Sequence, residues 1–263
     1  MSREVTLKTA KDKLIVALDV ETASRARELF AALRGVVGMF KIGMQLFTAV
    51  GPSIVREIIN AGGRVFLDLK YHDIPNTVAA AGVEAARHGI SIFNVHTFGG
   101  TEMMRRTADA VGEVAEREGL VRPKIIGVTL LTSVNDRILT EIRVVNSPER
   151  QVTALAQLAA ASGLDGVVAS PLEVVPVRAA VAKKDFLVVT PGVRPAGAAP
   201  HDQRRLTTPA EAIRAGSDYL VIGRPIIDAD DPVAAANSIV AEIEDGLRDD
   251  QGIAPRSAEQ TSG

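Results

Sequence analysis

Eight short apolar runs divide this sequence into repeating units, and each run is followed by a stretch with helical spacing. The runs are too continuously apolar to alternate, which is typical of strands buried on both faces of a parallel sheet. They cover residues 14–19, 39–42, 64–70, 91–96, 124–130, 166–169, 186–190 and 219–222. Since eight strand-helix units close a (β/α)8 barrel, the sequence predicts an α/β protein with that fold.

The helical stretches support a single domain over residues 1–247. They cover residues 23–34, 52–60, 78–88, 101–119, 148–162, 171–183, 209–215 and 232–247. A doubly wound open sheet is the alternative, but no Gly-x-Gly-x-x-Gly follows the first strand to receive a dinucleotide. The polar stretch 248–263 contains Gly and Pro and is predicted to be a disordered tail.

Composition narrows the function classes. The chain has 263 residues, of which 46% are hydrophobic, and 30 basic against 32 acidic residues give a formal charge of −2. This balance predicts neither a nucleic acid nor a membrane surface as a partner. Cysteine is absent, which excludes disulfides, thiolate nucleophiles and thiolate metal sites. The amino terminus lacks a signal-peptide core and no run reaches about 18 apolar residues, so we expect a soluble cytoplasmic protein.

Charged residues gather at the end of the third strand. Alternation along a strand directs Asp68 and Lys70 to the same side, and Asp73 follows just before a predicted helix that Asn76 or Thr77 can cap. Two carboxylates thus flank one ammonium, and their pKa values depend strongly on one another. Such a cluster indicates catalysis, with a structural ion-pair network as the alternative.

In a barrel of this type, catalytic groups project from the carboxyl ends of the strands. The first strand ends in Asp19 and the second in Lys41, so both should approach Asp68 and Lys70. A lysine held among carboxylates stays protonated and can deliver a proton to developing negative charge. His96, at the end of the fourth strand, is assigned no chemical step.

The last two strand ends have the composition of an anion site. Gly192 and Gly223 allow close approach of the backbone, while Arg194 and Arg224 offer planar donors suited to phosphate oxygens. Loops after strands seven and eight of such barrels often bind phosphate. The loop 195–206 is predicted to fold over the ligand, with a solvated loop as the alternative.

These motifs, in this order, resemble orotidine 5′-phosphate decarboxylase over the chain from Leu14 to the last helix. The resemblance is carried by Asp19, Lys41, Asp68-x-Lys70-x-x-Asp73, Thr190-Pro-Gly-Val-Arg194 and Gly223-Arg224. Two further segments, Asp73-Ile-Pro-Asn-Thr77 and Asp202-Gln-Arg-Arg205, are similar to the bacterial branch of that family.

The resemblance implies a homodimeric barrel that converts orotidine 5′-phosphate to UMP and CO2, the last step of de novo UMP synthesis, without cofactor or metal. It implies that Lys70 protonates C6 of the pyrimidine as CO2 leaves, within a network completed by Lys41, Asp68 and Asp73. It also implies that Asp73, Ile74 and Thr77 reach the neighbouring subunit's site. The implied substrate contacts are Asp19, Lys41 and Thr77 to the ribose, Thr132 to the pyrimidine, and Arg194, Gln203, Gly223 and Arg224 to the phosphate. Some relatives have Gln where this sequence has Ala196, a departure within the phosphate site.

Two other functions compete with this one. A related branch, resembling 3-keto-L-gulonate 6-phosphate decarboxylase, shares the Asp-x-Lys-x-x-Asp arrangement but uses Mg²⁺. Its carboxylate at the end of strand two is replaced here by Lys41, whose ammonium would repel the cation. A non-catalytic barrel that binds a phosphorylated ligand is the second competitor, and the retained lysine-carboxylate network argues against it.

Overall fold

The computed structural model describes residues 9–195 and 207–250, and it confirms the predicted (β/α)8 barrel. Eight parallel strands pair in chain order, and the last pairs with the first to close the barrel. The strands are β1 (Leu14–Ala17), β2 (Met39–Gly43), β3 (Val65–Tyr71), β4 (Ile92–His96), β5 (Lys124–Val128), β6 (Gly166–Val168), β7 (Leu187–Pro191) and β8 (Tyr219–Ile222).

Helices surround the strands. They are α1 (Ala23–Leu33), α2 (Met44–Val50), α3 (Ser53–Asn60), α4 (Pro75–Arg87), α5 (Gly100–Glu118), α6 (Asp136–Glu141), α7 (Pro148–Ala161), α8 (Val174–Ala180), α9 (Pro209–Arg214), α10 (Arg224–Ile227) and α11 (Pro232–Asp250). The short helices α2, α6 and α10 were not predicted, because four to seven residues carry too little periodicity to be recognised in a sequence. Helix α11 continues past residue 247, and residues 251–263 of the predicted tail lie outside the described residues.

The predicted start of α4 was wrong. The helix begins at Pro75 rather than at Val78, its N-cap is Ile74, and no side chain caps it. Proline suits the first helical position because its fixed φ fits the helix and its missing N–H would have no partner there. Asn76 and Thr77 therefore lie inside the first turn instead of capping it.

Two apolar layers follow from the alternation of side chains along the strands. Alternate strand residues fill the barrel interior, namely Ile15, Ala17, Met39, Phe66, Ile92, Ile126, Val189, Tyr219 and Val221. The intervening residues, such as Leu14, Val16, Val65 and Leu67, pack outward against the helices. Burial on both faces explains why the strands read as continuous apolar runs.

Close approach between strands depends on glycine at one point of the barrel. A Cβ at Gly166, the first residue of β6, would lie 2.3 Å from the backbone oxygen of Leu187 on β7. The position therefore has no room for a larger residue.

In the described part of the chain, no helix has both the length and the apolar character needed to cross a membrane.

Candidate active site

The carboxyl ends of β1 and β2 contribute one ion pair to the mouth of the barrel. Lys41 lies on β2 and is only 7% exposed. Its Nζ lies 2.8 Å from Oδ1 of Asp19, just beyond β1, and 3.3 Å from Oδ2 of Asp68 on β3. A buried ammonium thus bridges carboxylates from two strands.

Strand β3 contributes the second lysine from an irregular backbone. Its pairing with β4 shifts register between Leu67 and Tyr71, and Lys70 has a φ of +51°. That left-handed conformation is uncommon for residues other than glycine. The Nζ of Lys70 nevertheless lies 2.7 Å from Oδ1 of Asp68, so Asp68 contacts both lysines.

Asn94 on β4 completes the cluster and had no assigned role in the sequence analysis. Its Nδ2 donates a hydrogen bond of 2.7 Å to Oδ1 of Asp68, and its Oδ1 accepts one of 2.8 Å from the backbone N–H of Lys70. The structure therefore brings Asp19, Lys41, Asp68, Lys70 and Asn94 together.

Asp68 is the electrostatic centre of this cluster. Burial of its carboxyl group is the largest single influence on its pKa and favours the neutral acid. The charges of Lys41 and Lys70, with hydrogen bonds from Lys70 and Asn94, outweigh burial and hold the pKa of Asp68 below its ordinary value. Asp68 is therefore an anion at neutral pH, set between two cations.

Asp73 stands apart from the cluster within this chain. Its side chain is exposed, and its Oδ1 accepts a hydrogen bond of 2.6 Å from the backbone N–H of Ile74. Among the described residues, no ion pair joins it to Lys70. Ile74 is 67% exposed, and Thr77 lies exposed in the first turn of α4. These three residues face solvent where the sequence analysis expected a neighbouring subunit.

The predicted phosphate site is described only in part. Gly192 has a φ of +79° and so uses the conformational freedom of glycine, and Arg194 is half-buried beyond it. Gly223 precedes α10, whose first residue, Arg224, is exposed. Gln203, Ala196 and the rest of the loop from 196 to 206 lie outside the described residues. The described residues of this group follow β7 and β8, as the predicted site requires.

Hydroxyl groups near the strand ends differ in their surroundings. Thr132, the predicted pyrimidine contact, lies exposed beyond β5. Thr129 and Thr190 are fully buried, with Thr129 donating to the backbone oxygen of Val168 and Thr190 bonded to Ser217. These two buried threonines link neighbouring strands, so Thr132 is the one that remains accessible to a ligand.

Comparison with known proteins shows which family the chain belongs to. The model of the orotidine 5′-phosphate decarboxylase / HUMPS family matches residues 12–239. The chain belongs to this family. It is 53% identical over 240 residues to the protein named orotidine 5′-phosphate decarboxylase from Syntrophotalea carbinolica, covering 91% of this chain and 98% of that one. A protein of the same name from Geobacter sulfurreducens is 53% identical over 234 residues, covering 89% of this chain and 97% of that one.

A solved structure agrees with the family assignment. The crystal structure of orotidine 5′-phosphate decarboxylase from Lactobacillus acidophilus matches with a TM-score of 0.78 and 38% sequence identity. The match covers 88% of this chain and 98% of that chain.

One further feature of this decarboxylase-family chain was missed in the sequence. The rings of His72 and His96 stack with their centroids 5.3 Å apart, at the end of β3, the strand that carries Lys70. Burial, and then the charges of His72 and Lys70, lower the pKa of His96. A neutral imidazole is therefore favoured beside the charged cluster. The twenty-three residues between the two histidines concealed this contact, although the predicted pairing of strands three and four could have suggested it.

A cleft opens beside the cluster on the side of Asp19. It has a volume of about 600 Å³ and is lined by residues 19–22, Arg25 and residues 227–229. Asp19 has a side chain that is 49% exposed and forms part of the cleft wall. The Asp19–Lys41 pair can therefore be reached by a ligand while Lys41 itself stays buried.

Proposed function

We propose that this protein decarboxylates orotidine 5′-phosphate to UMP and CO2, the last step of de novo UMP synthesis, and that Lys70 is the proton donor. The observation that carries the proposal is the alternation of charge along Asp19, Lys41, Asp68 and Lys70, with neighbouring groups 2.7–3.3 Å apart. Membership of the family and the names of its similar relatives support the substrate.

The chemistry matches a network of fixed charges. When the bond between C6 and the carboxylate breaks, its electron pair stays on C6 as CO2 leaves. The ammonium of Lys70 then gives a proton to C6, and the resulting neutral amine takes a proton from solvent. A positioned cation near developing negative charge lowers the barrier, and a general acid typically contributes about 10²- to 10⁴-fold.

Asp68 has two functions in this proposal. Its contacts with Lys41 and Lys70 hold both ammonium groups, and its lowered pKa keeps it ionised while they are protonated. The same anion would face the substrate carboxylate and disfavour the bound ground state. The first function is supported by the distances within the chain, and the second depends on the position of the substrate.

The remaining contacts follow the family resemblance. Asp19, Lys41 and Thr77 would bind the ribose, and Thr132 the pyrimidine. The phosphate would be bound by Arg194, Gln203, Gly223 and Arg224. Binding energy from a phosphate remote from the reacting carbon can be used to hold the closed site.

A homodimer is part of the same proposal. Asp73, Ile74 and Thr77 are exposed on one chain, and a two-thirds exposed isoleucine next to a carboxylate fits a contact with a second copy. Asp73 would then complete the charged network of the neighbouring subunit. The cytoplasmic location expected from the sequence stays a prediction.

The Mg²⁺-dependent sugar-phosphate reaction is disfavoured by the position of Lys41. Its Nζ lies within 3.3 Å of the carboxylates of both Asp19 and Asp68. The ammonium neutralises the oxygens that a cation would need and would repel the cation itself. We therefore expect the reaction to need no metal.

The test is the ultraviolet absorbance of orotidine 5′-phosphate mixed with the purified protein, with EDTA or with added Mg²⁺. Equal conversion to UMP in both samples is expected. Turnover that requires Mg²⁺ would favour the sugar-phosphate branch, and folded protein with no turnover in either sample would favour a binding role.

A pair of lysine variants tests the proton donor. Lys70→Ala should reduce kcat by about 10²- to 10⁴-fold without unfolding the protein. Lys184→Ala removes the same charge from an exposed position between α8 and β7, at the other end of the barrel, and should leave kcat unchanged. Wild-type turnover by Lys70→Ala would refute the assignment.

A further inference from the structure

Asn94 links strand β4 to the charged end of β3. It is 1% exposed and lies between Phe93 and Val95, which pair with Leu67 and Tyr71 of β3. Residues 68 to 70 of β3 therefore stand opposite Asn94 alone. At such a bulge the backbone of the longer strand loses its regular partners and needs others.

The side-chain amide of Asn94 supplies one of those partners. Its Oδ1 accepts the backbone N–H of Lys70 at 2.8 Å, while its Nδ2 donates to Oδ1 of Asp68 at 2.7 Å. That same oxygen accepts the Nζ of Lys70 at 2.7 Å. The three residues thus form a closed ring that includes both the backbone and the side chain of Lys70.

Only an amide satisfies both ends of this ring. A carboxylate of the same shape would accept from Lys70 but would set a second anion against Asp68. An apolar side chain of similar size would leave both partners without their hydrogen bond. The chemistry of asparagine is therefore required at this position, in addition to its volume.

The conformation of Lys70 explains what the ring achieves. A φ of +51° is unfavourable for a lysine, and such a conformation persists only where surrounding contacts hold it. The hydrogen bond from the N–H of Lys70 to Asn94 is the described contact that fixes this backbone to β4. The direction of the lysine side chain follows from that backbone.

We infer that Asn94 is a positioning residue for the proton donor: it holds the left-handed backbone that orients the ammonium of Lys70 and keeps Asp68 in line with it. The inference rests on the proposed role of Lys70. Asn94 acts through these two neighbours and is assigned no contact with the substrate.

The test compares two variants of Asn94 with a matched control in the full-length protein. Asn94→Leu removes both hydrogen bonds, and Asn94→Asp keeps the shape and the acceptor but loses the donor. The control is Thr97→Val, one residue beyond β4, because Thr97 is also fully buried and its Oγ1 donates to the backbone oxygen of Val128 at 2.7 Å. It removes a buried hydrogen bond that has no connection to Lys70.

We expect Asn94→Leu to lower kcat by about 10²-fold, as for a small misplacement of a catalytic group, while the affinity for UMP measured by calorimetry is unchanged. Thr97→Val should lose comparable thermal stability and keep its kcat. If Asn94 had only a structural role, Asn94→Leu and Thr97→Val would lose activity to the same extent.

The pH profile of kcat/KM provides a second readout. Loss of the hydrogen bond from Asn94 raises the pKa of Asp68, so the acidic limb should move to higher pH, and further still in Asn94→Asp. The charged groups that act on Asp68 are Lys41 on β2, which also pairs with Asp19, and Lys70 on β3. His96 on β4 and His72 interact with Lys70 and with each other, and the variants leave all of these groups in place.

The outcomes separate this inference from the function on which it rests. If Lys70→Ala stays active, both are overturned. If Lys70→Ala is inactive but folded Asn94→Asp keeps the wild-type kcat and an unshifted acidic limb, only the inference about Asn94 is overturned. The Asp variant keeps the test decisive even where Asn94→Leu fails to fold.

Discussion

Gly43 offers a way to disturb the charged cluster with a single methyl group. It ends β2, and a Cβ at this position would lie 2.9 Å from Oδ1 of Asp19 and 2.9 Å from Nζ of Lys41. Its φ of −92° and ψ of 179° are open to any residue, so alanine brings no backbone strain. The methyl group of Gly43→Ala should therefore displace the side chains of the Asp19–Lys41 ion pair.

The magnitude follows from these distances. Both atoms lie about 0.5 Å short of the 3.4 Å at which ordinary van der Waals contact begins, so each must move by about that amount. Because a 1 Å misplacement of a catalytic group can cost about 10²-fold, we expect kcat/KM to fall by about tenfold. Both groups are ends of flexible side chains, so the strain can be relieved without moving the backbone.

Stability should respond much less than activity. Replacing glycine by alanine in an allowed conformation stabilises by about 0.4–1 kcal/mol through the unfolded chain. A weakened, partly exposed ion pair costs about 0–1 kcal/mol. The two effects offset each other, so the free energy of unfolding should stay within about 1 kcal/mol of wild type.

The assay pairs kcat/KM from ultraviolet turnover with urea unfolding of the same samples. Gly112→Ala in α5 is the control, because a Cβ there meets no atom within 4 Å and should leave kcat/KM unchanged. Wild-type kcat/KM in Gly43→Ala would refute the view that the Asp19–Lys41 geometry matters for turnover. If the free energy of unfolding of Gly43→Ala fell by several kcal/mol, the side chains of Asp19 and Lys41 could not move aside as we expect.

Three further predictions concern pH, packing and assembly. The lowered pKa of Asp68 contributes stability that is fully present above its unfolded pKa of about 3.9 and is lost as the pH falls through the lower folded value. In Asp68→Asn, the free energy of unfolding in urea should therefore fall less steeply with decreasing pH below about pH 4 than in wild type. The same dependence on pH in both proteins would contradict this. Gly166→Ala should lower the free energy of unfolding in urea by about 1–3 kcal/mol or more, because the new Cβ would clash with backbone atoms of Leu187, which cannot move away as a flexible side chain can. An unchanged unfolding midpoint would show that β6 and β7 can separate to make room. If Asp73 belongs to the active site of the neighbouring subunit, the inactive variants Lys70→Ala and Asp73→Ala should regain about a quarter of wild-type activity when they are mixed one to one and exchange subunits. Half of the dimers are then mixed, and each mixed dimer has one complete site out of two. If the mixed dimer is shown to form and stays inactive, Asp73 belongs to the site of its own chain.

The fold could be predicted because the burial of a strand or helix determines the pattern of apolar residues within a short segment of sequence. Each strand is buried on both faces and therefore appears as a continuous apolar run, whatever its partners are. Where a local rule was misapplied, the prediction failed, as at Pro75, which begins α4 although it was expected to precede the helix. Short helices such as α10 are held by their surroundings rather than by a periodic pattern, and they were missed for that reason.

The common location of the charged residues could also be predicted. Alternation along β3 brings Asp68 and Lys70 to one side, and the parallel direction of the strands brings Asp19 and Lys41 to the same end of the barrel. Strand-end hydroxyls were harder to interpret. Thr129 and Thr190 bond to Val168 and Ser217, and such partners are known only once neighbouring strands are aligned.

The sequence by itself determined which residues carry charge and at which end of the barrel they lie. Only the tertiary structure decided that Asn94 closes a ring with Asp68 and Lys70, because that ring exists only through the bulge that sets three residues of β3 against one of β4. The physical reason is that the two kinds of interaction depend on the structure over different distances. Apolar burial depends on which side of a strand a residue occupies, whereas a hydrogen bond acts over about 3 Å and depends on register and backbone conformation at that scale.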